Sequence, residues 1–278
     1  MICKETYTIP GAKGRNMLMD LTFDDSYRTA PLIIFVHGFK GFKDWGTHNM
    51  VARYFVEQGF RYLKFNFSHN GTTPENPVDF VDLIAFGDNT FSIELDDLKA
   101  VIDFACNGSA IPAAHGVNLI GHSMGGGVSI IKTAEDERIH KLITFASTAS
   151  FYKLWPQQQE EQWKIQGVMY VNNARTNQQM PLKVSLLQDM EQNPVRLDIE
   201  KMASHISQPW IIFHGDSDTS VPLTHAQQLK NAQPEAQLVV IPGGDHVFGA
   251  SHPFAGDVLP QPLLQFCKLS AAFLTSEQ

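Results

Sequence analysis

One serine in this 278-residue chain stands in a setting that could make it a nucleophile. Ser123 is the centre of a Gly-His-Ser-Met-Gly sequence at residues 121–125. A chain of this length contains Gly-x-Ser-x-Gly by chance roughly one time in ten, so the five residues alone are weak evidence. Here an apolar run at residues 117–120 precedes the motif and a helical pattern beginning at Met124 follows it. This setting predicts that Ser123 lies on a tight strand-to-helix turn with its hydroxyl exposed.

The glycines on either side of this serine, Gly121 and Gly125, are expected because larger side chains would collide inside such a turn. The first N–H groups of the following helix, and the positive end of its dipole, would point toward charge developing near Ser123. The alternative is a glycine-rich turn that serves only close packing. A phosphate-binding loop is excluded, because no Gly-x-x-x-x-Gly-Lys-Ser/Thr is present and no Gly-x-Gly-x-x-Gly opens a strand-to-helix turn.

A serine hydroxyl needs a base to accept its proton, and the base needs a third group to fix its tautomer. Two later apolar runs each end in suitable side chains. We expect His246 to be the base, whereas the competing His252 lies farther from its strand and precedes a proline. Asp216 and Asp218 both follow the other run, and we expect Asp218 to be the acid and Asp216 to cap the turn. Along the chain the nucleophile then comes first, the acid second and the base third, which is a known order for serine catalytic triads.

Acyl transfer places negative charge on the former carbonyl oxygen, and two preorganised donors normally stabilise it. The N–H of Met124 is one candidate donor. The second should come from the His-Gly-Phe sequence that follows the apolar run at residues 32–36. Gly38 is expected to allow a sharp turn that points the N–H of Phe39 into the site. Three aromatic side chains of this loop could either line an acyl pocket or belong to the core: Phe39, Phe42 and Trp45.

The elements that must position these residues alternate along the chain. Alternating polarity at residues 6–9 and 17–23 predicts an antiparallel hairpin at a sheet edge. Glu94 and Asp97 are expected on the water-facing side of a helix. The pattern predicts an α/β fold with a doubly wound, mostly parallel sheet. Its strands are predicted at residues 32–36, 62–67, 117–120, 142–145, 210–213 and 238–241, and its helices at 47–58, 90–106, 124–135, 224–231 and 261–275.

Residues 150–207 interrupt this alternation and carry no simple strand–helix unit. A loop of that length without structure of its own is uncommon in a compact domain. We predict a small inserted lid there, before the strand that precedes the acid loop, with helices and a short hairpin at residues 167–171 and 182–186. Residues 1–149 and 208–278 would then form one core. Two ordinary sheet-packing helices are the alternative.

Composition limits the possible partners. The formal charge is −8, from 21 Lys and Arg against 29 Asp and Glu, and no basic cluster occurs, which argues against nucleic-acid and anionic-membrane partners. The three cysteines are far apart and have neither disulfide-framework nor metal-ligand spacing, so no cofactor or metal is expected. No secretory signal and no apolar run near the ~20 residues of a membrane span is visible, so we expect a cytoplasmic setting.

Four motifs together resemble the α/β-hydrolase superfamily over nearly the whole chain. Within it, the chain is most similar to the compact bacterial esterase branch that includes cinnamoyl (feruloyl) esterases and dienelactone-hydrolase-like proteins. The resemblance implies Ser123 as nucleophile, Asp218 as acid and His246 as base, with Phe39 and Met124 as oxyanion donors. Dienelactone hydrolases proper carry a cysteine nucleophile, so their chemistry is not implied. The four motifs are residues 37–39, 121–126, 214–222 and 244–246.

These residues predict a serine hydrolase that cleaves small carboxylic esters, including aryl or cinnamoyl esters, through an acyl-enzyme on Ser123. A serine peptidase of the prolyl or aminopeptidase type could use the same triad. It would need an acidic anchor for a substrate amine, for which Glu160 and Glu161 are the candidates. A third hypothesis is a ligand-binding protein that retains the fold without catalysis.

Overall fold

The computed structural model describes residues 1–152 and 154–276, and ten strands lie within these ranges. They are β1 (Ile2–Pro10), β2 (Asn16–Asp24), β3 (Leu32–Val36), β4 (Arg61–Phe65), β5 (Val117–His122), β6 (Ile139–Phe145), β7 (Val168–Asn173), β8 (Gln178–Lys183), β9 (Trp210–Gly215) and β10 (Gln237–Ile241). Eight of them form one sheet in the order β1-β2-β4-β3-β5-β6-β9-β10, and β7 and β8 form a separate antiparallel hairpin. Within the large sheet, β2 is antiparallel to both β1 and β4, and the other pairs are parallel.

Helices follow most of the strands. They are α1 (His48–Glu57), α2 (Leu83–Asp88), α3 (Phe91–Asn107), α4 (Met124–Glu135), α5 (Gln157–Gln166), α6 (Ser185–Gln192), α7 (Ile199–Ala203), α8 (Thr224–Ala232) and α9 (Gln261–Thr275). None of these helices of the described chain is long and apolar enough to cross a membrane. The predicted α/β fold with a mostly parallel sheet is confirmed, and β1 and β2 form the predicted edge hairpin.

The large sheet has a hydrophobic core on each face. In β3 successive side chains point to opposite faces, so Ile33 and Phe35 pack in the core that contains residues of α1 and α9. Ile34 and Val36 pack in the core that contains residues of α3 and α4. A strand covered on both sides has few polar positions, which explains its continuous apolar sequence. Each fully buried Ile or Phe side chain contributes about 1.5–3 kcal/mol through loss of exposed apolar area.

Helix α3 differs from the prediction at Asp97, which was expected to face water and is fully buried. Its carboxylate accepts hydrogen bonds from the N–H of Ala12 at 2.7 Å, and from the N–H and hydroxyl of Ser68 at 2.8 and 2.7 Å. Burial raises the pKa of Asp97 to about 6, although these donors favour the charged form. Asp97 therefore connects the hairpin turn after β1 to the loop after β4. A helical pattern could not reveal these contacts, because the donors are distant in sequence.

The segment predicted as a lid contains α5, the β7–β8 hairpin, α6 and α7. The first arm of the hairpin begins near the predicted position, but the second arm spans Gln178–Lys183 instead of residues 182–186. The chain is already helical from Ser185, so the predicted second arm was wrong. Pro181 can occupy this arm because β8 pairs on one side only, with β7.

The predicted lid segment contacts the rest of the protein in two places. Helix α7 packs against α4 and α8, which themselves pack on the main sheet. The hairpin instead reaches the loop after β3, where the Lys40 ammonium donates to the carbonyl of Asn172 at 3.2 Å. The turn of the hairpin therefore lies beside the loop that the sequence assigns to the oxyanion.

Candidate active site

Ser123 is the single residue between the end of β5 and the start of α4. Its backbone has φ 57° and ψ −125°, which is a strained conformation for a residue other than glycine. A Cβ atom on Gly121 would lie 2.5 Å from the hydroxyl of Ser129, and one on Gly125 would lie 2.3 Å from the carbonyl oxygen of His37. Both positions therefore require glycine because other groups approach too closely for a side chain. The turn presents the Ser123 hydroxyl above the ends of the parallel strands.

Ser123, His246 and Asp218 form one hydrogen-bonded chain. The Oγ atom of Ser123 lies 3.0 Å from Nε2 of His246, and Nδ1 of His246 lies 2.9 Å from Oδ2 of Asp218. Because an ionised carboxylate only accepts hydrogen bonds, Nδ1 of His246 carries a proton and donates a hydrogen bond to Asp218. In the neutral imidazole, Nε2 then accepts the hydrogen bond from the Ser123 hydroxyl. This is the arrangement that a general base requires.

The Asp218 carboxylate is held as an anion without solvent. Burial raises its pKa, but hydrogen bonds from His246 and from the backbone N–H groups of Val221 and Ser220 outweigh burial and lower the pKa below its ordinary value. The two backbone bonds, at 2.8 and 2.9 Å, are accepted by Oδ1. Oδ2 is thereby left to orient His246.

The competing candidates have other partners. The Asp216 carboxylate accepts from the N–H of Gly243 at 2.7 Å, across the gap between the loops after β9 and β10. Nδ1 of His252 accepts from the N–H of Gly46 at 2.9 Å, and its ring packs against Trp45. Neither side chain joins the Ser123–His246 chain, so the structure brings together the residues that the sequence favoured.

The loop after β3 passes directly over Ser123. A Cβ atom on Gly38 would lie 2.8 Å from Cβ of Ser123, so Gly38 is needed for this close approach. The chain turns sharply from Gly38 to Gly41, whose N–H donates to the carbonyl of Gly38 at 2.9 Å, and the positive φ of 56° within this turn belongs to Lys40. In the described chain, neither the N–H of Phe39 nor the N–H of Met124 donates to another protein group. Both N–H groups are therefore available to a ligand.

Buried ion pairs anchor the far end of this loop. The Lys43 ammonium lies 2.6 Å from Asp20, which is also 2.9 Å from the ammonium of Lys64. All three side chains are almost completely buried. Burial raises the pKa of Asp20, but the two lysines lower it well below its usual range. This anchor was not predicted from the sequence; the available signal was Lys64, which stands among the apolar residues Tyr62, Leu63 and Phe65 of β4.

A model of the alpha/beta hydrolase family matches residues 33–256, which include the Ser123–His246–Asp218 chain and both free N–H groups. The chain belongs to the alpha/beta hydrolase family. The match covers most of the main sheet and the whole segment between β6 and β9. The predicted membership is confirmed.

Several proteins similar to this alpha/beta hydrolase are named as esterases. The putative esterase YitV of Bacillus subtilis (strain 168) is 24% identical over 224 residues, which are 80% of each chain. Est1E from Butyrivibrio proteoclasticus has a TM-score of 0.69 and 19% identity, with 97% of each chain covered. The esterase domain of a Rhodothermus marinus protein has a TM-score of 0.65 and 18% identity, with 98% of this chain and 97% of that chain covered. The two solved structures establish the shared fold.

Two clefts of this hydrolase meet at Ser123 and His246. The hairpin cleft, of about 260 Å³, extends toward the turn of the β7–β8 hairpin, and the α8 cleft, of about 390 Å³, extends toward α8. The hairpin cleft is also lined by His37, Gly38, Phe39, Lys40, Gly41, Trp45, His48, His122, Asn173, Ala174, Arg175 and Val247. The α8 cleft is also lined by Phe39, Lys40, Met124, Thr148, Leu154, Trp155, Ser220, Val221 and His225. Of the three candidate aromatic residues, Phe39 and Trp45 line a cleft, whereas Phe42 is buried in the core.

Three further histidines lie near the base. Nε2 of His122 is 2.9 Å from the carbonyl oxygen of His246 and donates to it, so the residue before Ser123 helps to position His246. Burial lowers the pKa of His37 to about 4 and that of His48 to about 3, and it lowers the pKa of His122 well below its usual range. All three are therefore neutral at physiological pH. In the described ranges, no group of three or more His, Cys, Asp or Glu side chains could hold a metal ion.

Glu94 is partly buried beside the loop between β3 and α1 (residues 37–47, called the oxyanion loop after its predicted role) instead of facing water as predicted. It lines a small pocket of about 20 Å³ together with Phe39 and Met124. Its Oε1 accepts from the amide of Asn89 at 2.7 Å. Burial raises the pKa of Glu94 to about 8, even though the hydrogen bond from Asn89 favours the charged form. A protonated carboxyl group therefore lies behind the two N–H groups at neutral pH.

Replacing Glu94 by Gln is expected to remove a pH-dependent loss of stability. The folded-state pKa of about 8 exceeds the unfolded value of 4.5, so the folded state binds the proton more tightly. The contribution of Glu94 to the free energy of unfolding of the wild type therefore falls as pH rises from 4.5 to 8, and then levels off. Glu94→Gln should gain about 1–2 kcal/mol relative to wild type between pH 5 and pH 9, as measured by urea unfolding. The exposed neighbour on the same helix gives the control Asp96→Asn, and an equal pH response in both variants would contradict the assignment.

Proposed function

We propose that this protein is a serine hydrolase that cleaves carboxylic esters through an acyl-enzyme on Ser123. The observation that carries the proposal is the hydrogen-bonded chain from Ser123 through His246 to Asp218, at 3.0 and 2.9 Å. His246 acts as the base, Asp218 holds it in the required tautomer, and the N–H groups of Phe39 and Met124 bind the oxyanion.

The reaction proceeds in two halves. As Ser123 attacks the ester carbonyl carbon, His246 takes the hydroxyl proton and the carbonyl electron pair moves onto the oxygen held by the two N–H groups. When the tetrahedral intermediate collapses, the bond to the alcohol breaks and His246 gives its proton to the departing oxygen. Water then attacks the acyl-enzyme, with His246 again accepting and returning a proton, and the carboxylic acid leaves. Asp218 remains ionised throughout and stabilises the imidazolium that forms in each half.

Small and aryl esters are the proposed substrates. The esterase names of several related proteins support ester cleavage, and ferulic acid is bound to Est1E in one solved structure. The indole of Trp45 and the ring of Phe39, both lining the hairpin cleft, can pack against an aryl group. We propose in addition that residues 150–207 act as a lid, because their hairpin turn supplies one wall of this cleft and Trp155 one wall of the other.

The structure gives an aminopeptidase less support. Glu160 and Glu161 lie on α5 and line neither cleft. No Asp or Glu from the described residues lines either cleft, so an anchor for a substrate amine is not offered beside Ser123. Esters are therefore favoured over aminoacyl amides.

Two measurements on the wild-type protein test the proposal. It should hydrolyse p-nitrophenyl acetate and butyrate faster than aminoacyl p-nitroanilides, and a fluorophosphonate should label Ser123, as mapped by peptide mass spectrometry. Absence of both turnover and labelling would refute the esterase assignment. Labelling together with faster cleavage of the anilides would instead assign the site to a peptidase.

A further inference from the structure

The hairpin cleft carries positive charge beside Ser123 although the protein as a whole is acidic. Lys40 and Arg175 contribute to its lining, and no carboxylate from the described residues does so. The formal charge of the whole chain is −8, so its overall field repels anions. The positive charge beside Ser123 is therefore opposite in sign to the net charge of the protein.

The charge of Lys40 is incompletely satisfied. Its ammonium donates to the carbonyl of Asn172 at 3.2 Å, and it forms no ion pair with any described Asp or Glu. An ammonium has three donors, so two remain for a ligand. The side chain is half-buried, and burial lowers the pKa of Lys40. Burying a cation without a counter-charge costs free energy, which an anionic ligand would offset.

Asn173, at the start of the hairpin turn, lines the same cleft and has an unpaired amide donor. Its side chain is 7% exposed, and its Nδ2 atom is buried without a hydrogen-bond partner. The orientation of the amide is determined by its other end, because Oδ1 accepts from the N–H of Arg175 at 3.2 Å. An unpaired buried amide is uncommon in a native structure, and here it lines the cleft that also contains Lys40.

Arg175 adds positive charge at the rim. Its guanidinium lies 3.3 Å from the carboxylate of Asp79, which is largely exposed, and donates to the carbonyl of Val78. Such a solvent-exposed pair is weak, so Arg175 still contributes positive charge to the cleft that it lines. The lining near the hairpin turn therefore contains two cationic side chains and one amide with an unpaired donor.

We propose that the hairpin cleft binds a carboxylate of the substrate through Lys40 and Asn173, so that the preferred substrates are esters carrying a free carboxylate. The inference rests on the proposed esterase function and specifies its substrate class. A carboxylate fits this donor set because it accepts several hydrogen bonds at once and neutralises the ammonium. Since Ser123 lines the same cleft, the anion and the scissile ester belong to one small molecule.

Matched pairs of esters test the proposal. In the first pair the charge is on the acyl side, p-nitrophenyl hemiglutarate against p-nitrophenyl valerate. In the second pair it is on the alcohol side, 4-carboxyphenyl acetate against 4-carbamoylphenyl acetate. The readout is the ratio of kcat/KM for the charged ester to kcat/KM for its neutral partner. We expect a ratio of about 10 or more in one pair, because a charge-assisted contact in the cleft is stronger than the general repulsion of anions by the acidic protein.

Variants assign the preference to the cleft. Lys40→Met keeps the length of the side chain without its charge and should lower the ratio about tenfold, and Asn173→Asp should lower it similarly by placing a carboxylate in the cleft. The matched controls are Lys164→Met, at an exposed lysine of α5, and Asn177→Asp, at an exposed residue of the same hairpin turn that lines neither cleft. Both controls should retain the wild-type ratio.

Two results would overturn the proposal while leaving the esterase assignment intact. One is turnover of the neutral esters with a ratio of 1 or less in both pairs. The other is an equal loss for charged and neutral esters in Lys40→Met, which would show that Lys40 only connects the hairpin to the oxyanion loop. Failure of the esterase assignment is distinguishable, because the neutral esters would not be turned over and a fluorophosphonate would leave Ser123 unlabelled.

Discussion

Replacement of Ser123 by alanine is expected to lower kcat for p-nitrophenyl acetate by about 10⁴- to 10⁶-fold. The acyl-enzyme cannot form without the hydroxyl, and His246 then has no proton to accept from the enzyme. The residual rate would come from the oxyanion donors acting on direct attack by water. Alanine removes only one oxygen atom, which accepts no hydrogen bond that holds the turn together. The fold should therefore persist.

The measurement is kcat from purified protein, with thermal unfolding as the control for folding. Ser123→Ala should also lose fluorophosphonate labelling while its melting temperature stays near that of wild type. Relief of the strained backbone is not expected, because alanine is restricted at positive φ in the same way as serine. A loss of kcat below tenfold in a folded variant would show that the activity arises elsewhere.

Replacement of Asp218 by asparagine is expected to lower kcat by about 10³- to 10⁴-fold. The new amide can present its NH₂ group to Nδ1 of His246, which favours the imidazole tautomer with its proton on Nε2. That proton points at Ser123, so His246 can no longer accept the hydroxyl proton. Substrate binding should change little, because Asp218 lines neither cleft, and the loss should therefore appear in kcat more than in KM.

Asp216→Asn is the matched control, at a residue two positions earlier on the same loop. Asp216 accepts a hydrogen bond from Gly243 and does not contact His246, so the control should change kcat by less than about threefold and stability by about 1 kcal/mol. Equal losses in the two variants would mean that the loop as a whole, and not the carboxylate on His246, supports the reaction.

The residues proposed to select the substrate lie on different elements from the residues proposed to carry out the reaction. The oxyanion loop runs between the Ser123 turn and the β7–β8 hairpin, and Lys40 contacts the hairpin directly. In the proposed reaction, a change in the hairpin would alter which ester is accepted without altering the hydrogen-bonded chain of Ser123, His246 and Asp218. This separation between reaction and specificity follows from the positions of the elements in the α/β fold.

The strands and the central residues of the site could be predicted from local sequence. A strand buried on both faces is a continuous apolar run. A strand-to-helix turn needs small residues around it, so Gly121, Ser123 and Gly125 can be recognised from the few residues on either side of them. His246 follows its strand closely enough for the same reasoning. Asp218 could be separated from Asp216 only as a preference, because both follow the same strand and their partners lie on another loop.

The sequence by itself determined the fold class and the residues proposed for the reaction, since each depends on neighbours within one turn or one strand. Only the tertiary structure decided what surrounds them. It buried Asp97 completely and Glu94 partly, although a helical pattern placed both in water, and it brought Lys40 and Asn173 to one cleft from positions more than a hundred residues apart. The environment of a charged side chain is set by groups from distant parts of the chain, and no local pattern encodes that environment. For this reason the proposed reaction could be derived from sequence, whereas the proposed substrate required the structure.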